Sequence, residues 1–149
     1  MNYWFECKVC YNKLDDSGKN KKMSDIYLVD ALSFTEAEKR VNEEVSLFSS
    51  AYENGLFTIE GIKHVKIGEI FGEDIECEKW FKCKVNFITV DEVSAKEKKI
   101  SSVMLVHADD MQEAFKNLKE GLKDSISDSD IVSMTETAIA DIFHYSAPA

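Results

Sequence analysis

Apolar and polar residues alternate with period two from Trp4 to Tyr11. Phe5, Cys7, Val9 and Tyr11 fall on one side, and Trp4, Glu6, Lys8 and Cys10 on the other. That alternation predicts a half-buried strand. A polar turn from Asp15 to Asn20 follows, then a second apolar, β-branched strand from Ile26 to Ala31. The spacing of apolar positions then changes to three and four, with Phe34, Ala37, Val41, Val45 and Phe48 forming one face of a helix. Ser33 is placed to cap that helix, and Glu36 three residues on completes a capping box. An extended segment from Phe57 to Phe71, with a bend or bulge expected at Gly61, closes the set.

The same pattern then recurs. Trp80-Phe81-Lys82-Cys83-Lys84-Val85 matches Trp4-Phe5-Glu6-Cys7-Lys8-Val9 at five of six positions. In the same order, Lys98-Lys99 follows Lys21-Lys22, and Leu105-Val106-x-Ala108 follows Leu28-Val29-x-Ala31. Glu113-Ala114-x-Lys116 then matches Glu36-Ala37-x-Lys39, and Ile139-x-x-Ile142-Phe143 matches Ile67-x-x-Ile70-Phe71. Asp110 and Glu113 rebuild the capping box, ahead of a stripe of Met111, Ala114, Phe115, Leu118 and Leu122. Ordered matches of this kind point to a duplicated unit. The expected fold class is α+β: a tandem ββαβ duplication forming an antiparallel sheet with both helices packed on one face. The short acidic linker Gly72 to Lys79 suggests one pseudo-twofold domain over residues 1–145, with repeats at 4–71 and 80–143. Residues 146–149 read as a flexible tail.

Composition narrows the chemistry. The 149 residues are 44% hydrophobic and 31% charged, as in an ordinary globular chain, and carry a net charge of −10. That field opposes indiscriminate attraction to phosphate, so any anion site must be a local basic patch. No apolar run reaches the roughly 18 residues of a membrane span, and residues 1–8 do not read as a signal peptide. A cytoplasmic protein with reduced thiols at Cys7, Cys10, Cys77 and Cys83 is the expectation.

The alternation places Trp4 and Lys8, and in the second repeat Trp80, Lys82 and Lys84, on the side away from the helices. Tryptophan and lysine on one open sheet face can stack bases and neutralise phosphates. The competing reading is a subunit interface, or rings packed under their own unit. Lysines at Lys21 and Lys22, and at Lys98 and Lys99, fall between the strands of each hairpin, where they could grip an anion or merely coat a solvated tip. Cys7-x-x-Cys10 has a metal-like spacing, but residues three apart on a strand face opposite ways, so no metal site is expected. His64, His107 and His144 lack catalytic partners, and no phosphate loop or nucleophile motif is present. Neither catalytic residues nor a cofactor are therefore expected.

The stretches Trp4 to Val9, Tyr27 to Glu38 and Thr135 to Phe143 resemble a family of small uncharacterised proteins of Bacteroidetes, their mobile elements and phages. The resemblance implies a cytoplasmic protein of phage or mobile-element biology, with no catalytic residues to transfer. Three functions follow as expectations. The first is a non-enzymatic binder of single-stranded nucleic acid through the Trp/Lys face. The second is an oligomeric sponge for a small (cyclic) nucleotide signal of bacterial immunity. The third is an assembly module without a small ligand. A homo-oligomer is expected, and no membrane partner.

Overall fold

A computed structural model describes residues 3–125 and 127–145, so the tail expected at 146–149 lies outside the described residues. Those residues form eight strands and two helices in the order β1 (Tyr3–Leu14), β2 (Asn20–Ala31), α1 (Phe34–Ser46), β3 (Phe57–Val65), β4 (Glu69–Phe71), β5 (Lys79–Val90), β6 (Glu97–Ala108), α2 (Met111–Leu122), β7 (Asp128–Glu136) and β8 (Ile139–Phe143). Short 3₁₀ turns at Ser49–Ala51 and Glu53–Gly55 separate α1 from β3. The fold is mixed α+β. Among the described residues no helix is long and apolar enough to cross a membrane.

The chain divides into two compact units that cut across the sequence repeats. Unit 1 runs to Lys66 and takes in the residues from Ile139 onward, and unit 2 is Ile67–Ala138. The expected single antiparallel sheet carrying both helices is corrected to two mixed four-stranded sheets, each with its own helix. Their strand orders are β3-β1-β2-β8 and β4-β6-β5-β7. The physical reason is that the outer edge of each hairpin is taken by a short strand from the other half of the chain. In unit 1, β2 and β3 occupy both edges of β1, and a parallel β8 occupies the free edge of β2. In unit 2, β6 and β7 flank β5, and a parallel β4 closes β6. Four strands at about 4.8 Å spacing are about as wide as one helix and its side chains can cover. The extended segment read as Phe57 to Phe71 and its counterpart ending at Phe143 are each broken, and their last strands enter different sheets from their first.

In unit 1, α1 covers a core of Phe5, Cys7, Val9, Tyr27, Val29 and Ala31, against which it buries Ala37, Val41 and Val45. In unit 2, α2 covers Phe81, Cys83, Val85, Met104, Val106 and Ala108 and buries Ala114 and Leu118. The helix stripes are narrower than their sequence spacing suggested, because Phe34, Met111 and Phe115 are exposed and α1 ends before Phe48. Both N-caps form as expected. Ser33 Oγ accepts from the Glu36 N–H at 3.1 Å, and Asp110 Oδ1 from the Glu113 N–H at 2.8 Å. The antiparallel edge strands β3 and β7 each carry a bulge. Gly61 faces Lys8 while Ile59 faces Val9, leaving Glu60 as the extra residue, and Val132 stands in the same place between Ser133 and Ile131.

Candidate anion-binding faces

In unit 1, period-two alternation carries Trp4 and Lys8 to the sheet face without a helix. Trp4 is half-buried, with its ring edge-on to His144 at 5.2 Å. Lys8 is exposed, and its neighbours across the sheet are Ile26 and Gly61. A Cβ at Gly61 would meet nothing within 4 Å. The bulge and this missing side chain leave an open cleft of about 240 Å³ lined by Glu6, Lys8, Ile26, Gly61, Ile62 and Lys63. Two lysines thus border one cleft, with Lys63 directly opposite Glu6.

The reading of Lys21-Lys22 and Lys98-Lys99 as turn lysines is corrected. The hairpin strands run longer than their apolar cores, so all four are strand residues, and adjacent ones point to opposite faces. Lys21 lies opposite Lys13, while Lys22 pairs with the Glu60 carboxylate at 3.2 Å. Glu60 raises the affinity of Lys22 for its proton. Its own carboxyl is held below its ordinary value, first by the Cys10 thiol and then by Lys22. The Cys10 thiol is pushed up by burial and then by Glu60. These groups border a second cleft of about 420 Å³ that also reaches Asn12, Leu56 and Thr58. The bulge in β3 is what brings Glu60 to Lys22, so this lysine is paired with a carboxylate at the surface.

In unit 2, Lys82 and Lys84 occupy the matching face, half-buried and exposed respectively. Across β7 they meet Thr135 and Ser133, and farther along Asn86 and Ile88 meet Asp130 and Asp128. Lys98 faces Thr89 and Lys99 faces Ile88. Trp80 departs from the expected exposed platform. It is only 5% exposed, and its ring stacks on His107 at 4.3 Å. The face is therefore basic near Lys82 and Lys84 and acidic toward the hairpin tip.

Lys63 and Glu60 were missed by the sequence reading. The repeat could not have revealed Lys63, because Thr135 occupies its place opposite Lys82. The Glu60 contact depends on a bulge that alternation cannot place to the residue. Among the described residues, Cys77, Asp109 and Glu113 bring three donor atoms within 4.8 Å of one another. There the Cys77 thiol donates to Glu113 at 3.2 Å, and Asp109 accepts from the Glu78 N–H at 2.9 Å. Burial, then Glu113, pushes that thiol up to about 11, and the α2 N-terminus opposes a cation. We assign no metal to it. Cys7 and Cys10 do lie on opposite faces, Cys7 in the core under α1 and Cys10 beside Glu60.

No curated protein and no solved structure matches this chain. A family model described as a domain of unknown function, DUF4494, matches residues 3–145. With nearly its whole length matched, the chain belongs to the DUF4494 family.

Proposed function

We propose that the protein is a non-enzymatic binder of single-stranded nucleic acid, gripped through phosphates on the lysine-bearing sheet faces. The observation that carries this reading is the open cleft bordered by Lys8 and Lys63, on the strand face that also carries the half-buried Trp4. Lys84, exposed at the position matching Lys8, offers a second point of contact. With Trp80 covered by His107, stacking is a minor contribution and phosphate neutralisation the main one. The net charge of −10 repels phosphate at a distance, so the attraction must come from these local lysines. We also read the two units as products of a tandem duplication, supported by their matching hairpin registers, bulges and closing strands. The likeness to proteins of Bacteroidetes, their phages and mobile elements supports a setting in which single strands are common.

The test is anisotropy of a labelled oligothymidine with the intact chain, at low and moderate salt. Affinity should fall steeply as salt rises, and Lys8→Glu with Lys63→Glu should weaken it sharply in a folded protein. No binding at low salt, or binding indifferent to both reversals, removes the proposal. A second reading, a small-nucleotide sponge, draws on the 420 Å³ cleft beside Lys22, which has the size of small-ligand sites. Saturable uptake of a mononucleotide or cyclic dinucleotide, with none of the oligonucleotide, would favour it.

A further inference from the structure

The free edge of β2 in unit 1 is filled by a strand from the far end of the chain. Ile139, Asp141, Ile142 and Phe143 of β8 lie beside Ile26, Tyr27, Leu28 and Val29 in a parallel ladder. Phe143 packs against the unit 1 core, with its ring stacked on Tyr27 at 5.1 Å and 12° from parallel. Ile139 is 5% exposed. Past the strand, His144 sets its ring against Trp4, and Tyr145 lies under the Arg40 guanidinium at 3.3 Å. Arg40 is itself held by Glu36 and by the Asp30 carbonyl. Residues 139–145 are thus seated as a docked peptide would be, by a backbone ladder and a row of aromatic contacts.

The matching edge in unit 2 shows what such a seat recognises. There Ile70 and Phe71 of β4 lie beside Leu105 and Val106, as Ile142 and Phe143 lie beside Leu28 and Val29. Both occupants carry the pattern Ile-x-x-Ile-Phe, and both seats carry Leu-Val. One occupant precedes its hairpin in the chain and the other follows it, so the seat reads the pattern and not the connectivity. Only Thr137 and Ala138 join the segment that fills unit 1 to β7.

We propose that the β2 edge is a docking site for this C-terminal segment supplied in trans, so that two copies of the chain form a closed dimer by exchanging residues 139–145. The tethered strand holds the seat at low protein concentration, because its effective concentration is high. Exchange takes over when the seat is emptied or the protein is concentrated while refolding. The test of this proposal substitutes neither Lys8 nor Lys63, so its failure and that of the anion reading are distinguishable.

The experiment uses a labelled peptide with the sequence of residues 137–145 and the intact chain carrying Ile142→Asp, which weakens its own β8 beside buried Leu28. The variant should take up the peptide saturably and the unsubstituted chain should take up little. A Phe143→Ala peptide should bind at least about tenfold more weakly, because it lacks the ring stacked on Tyr27. No uptake by a folded variant, or equal uptake of both peptides, overturns the proposal. Should Ile142→Asp fail to fold, the unsubstituted chain refolded at high concentration decides by light scattering. A slowly dissociating dimer that Phe143→Ala abolishes is expected. Monomer at every concentration, or a dimer indifferent to Phe143→Ala, overturns it.

Discussion

Trp80 and His107 face each other across β5 and β6 with their rings 4.3 Å apart and 7° from parallel. His107 Nδ1 lies 3.1 Å from the Gly72 carbonyl, and Thr137 donates both its N–H and its hydroxyl to the Trp80 carbonyl. The stack covers one face of the indole, Gly72 holds the histidine that covers it, and Thr137 holds the Trp80 backbone. Deleting a buried indole costs about 3–5 kcal/mol through lost burial and the cavity left behind. Trp80→Ala should therefore lower the urea midpoint markedly, whereas Trp80→Phe, which keeps a ring on His107, should lose less. Its emission should be blue-shifted and quenched slowly by iodide. A Trp80→Ala protein as stable as the parent would refute the stacked, buried ring.

The thiols should sort by burial. Burial pushes Cys7 up to about 12 and Cys83 to about 11, so neither offers appreciable thiolate near neutral pH. Cys77 is only half-buried, and part of its upward shift comes from the Glu113 carboxylate at 3.2 Å. Removing that charge favours the thiolate. Glu113→Gln should move the pH profile of Cys77 alkylation toward lower pH and leave Cys7 and Cys83 slow until denaturant is added. Peptide mapping by mass spectrometry reads all the sites at once. An unchanged Cys77 profile would mean the carboxylate does not govern it.

Each hairpin turn hangs on one carboxylate. Asp15 Oδ1 accepts from the Ser17 N–H at 2.9 Å, the Ser17 hydroxyl at 2.6 Å and the Lys19 N–H at 2.9 Å. Asp91 Oδ1 accepts from the Val93 N–H at 2.8 Å and the Ser94 N–H at 3.3 Å. These bonds favour the charged form, so both carboxyls titrate below the ordinary 3.8, Asp15 chiefly through the Ser17 hydroxyl and Asp91 chiefly through the Val93 amide. The sign follows from linkage. The folded value is depressed, so the turn's contribution is complete above pH 3.8 and is lost as pH falls through the folded value. Both groups are at the surface, and the effect should be local. Asp15→Ala should speed amide exchange at the β1–β2 tip and barely move the melting temperature, whereas Asp15→Asn, which keeps an acceptor, should protect the tip without its pH dependence. Equal exchange rates in Asp15→Ala and the parent would dissolve the role given to these bonds.

Much of this architecture was legible in the chain. Period-two alternation located β1 and β5, the Ser33 and Asp110 caps located both helices, and the repeated Trp-Phe-x-Cys-Lys-Val located the pairing hairpins. The closing strands misled for a specific reason. Ile67-x-x-Ile70-Phe71 and Ile139-x-x-Ile142-Phe143 read as extended segments of their own repeats, yet periodicity says only that a segment is a strand and never which edge it fills. The candidate site suffered from the same limit. Alternation put Trp80 on the correct face, but a face is not an exposure, and His107, three residues before the Asp110 cap, gave no sign that it would cover the indole. Lys22 looked like one of a pair with Lys21 until the Glu60 bulge drew it aside.

Gly121 marks where α2 comes closest to the strand that closes unit 2. A Cβ built there would lie 2.7 Å from Cδ1 and Cε1 of Phe71 and 2.9 Å from Cγ, nearer than real contacts allow. Two opposing effects decide what Gly121→Ala does. Alanine favours a helix over glycine by about 0.8–1.0 kcal/mol. Forcing a methyl against a packed ring costs about 1–3 kcal/mol, because the ring must leave its position beside Val106 or the helix must lift. The clash should win. Gly121→Ala should therefore destabilise the protein by about 1 kcal/mol, and Phe71→Leu, which removes the flat ring, should reverse the sign so that the double substitution gains from the helix. A four-member cycle of denaturation midpoints measures this coupling directly. If Gly121→Ala stabilises the protein on its own, the close approach of α2 to β4 is not the constraint that keeps glycine there.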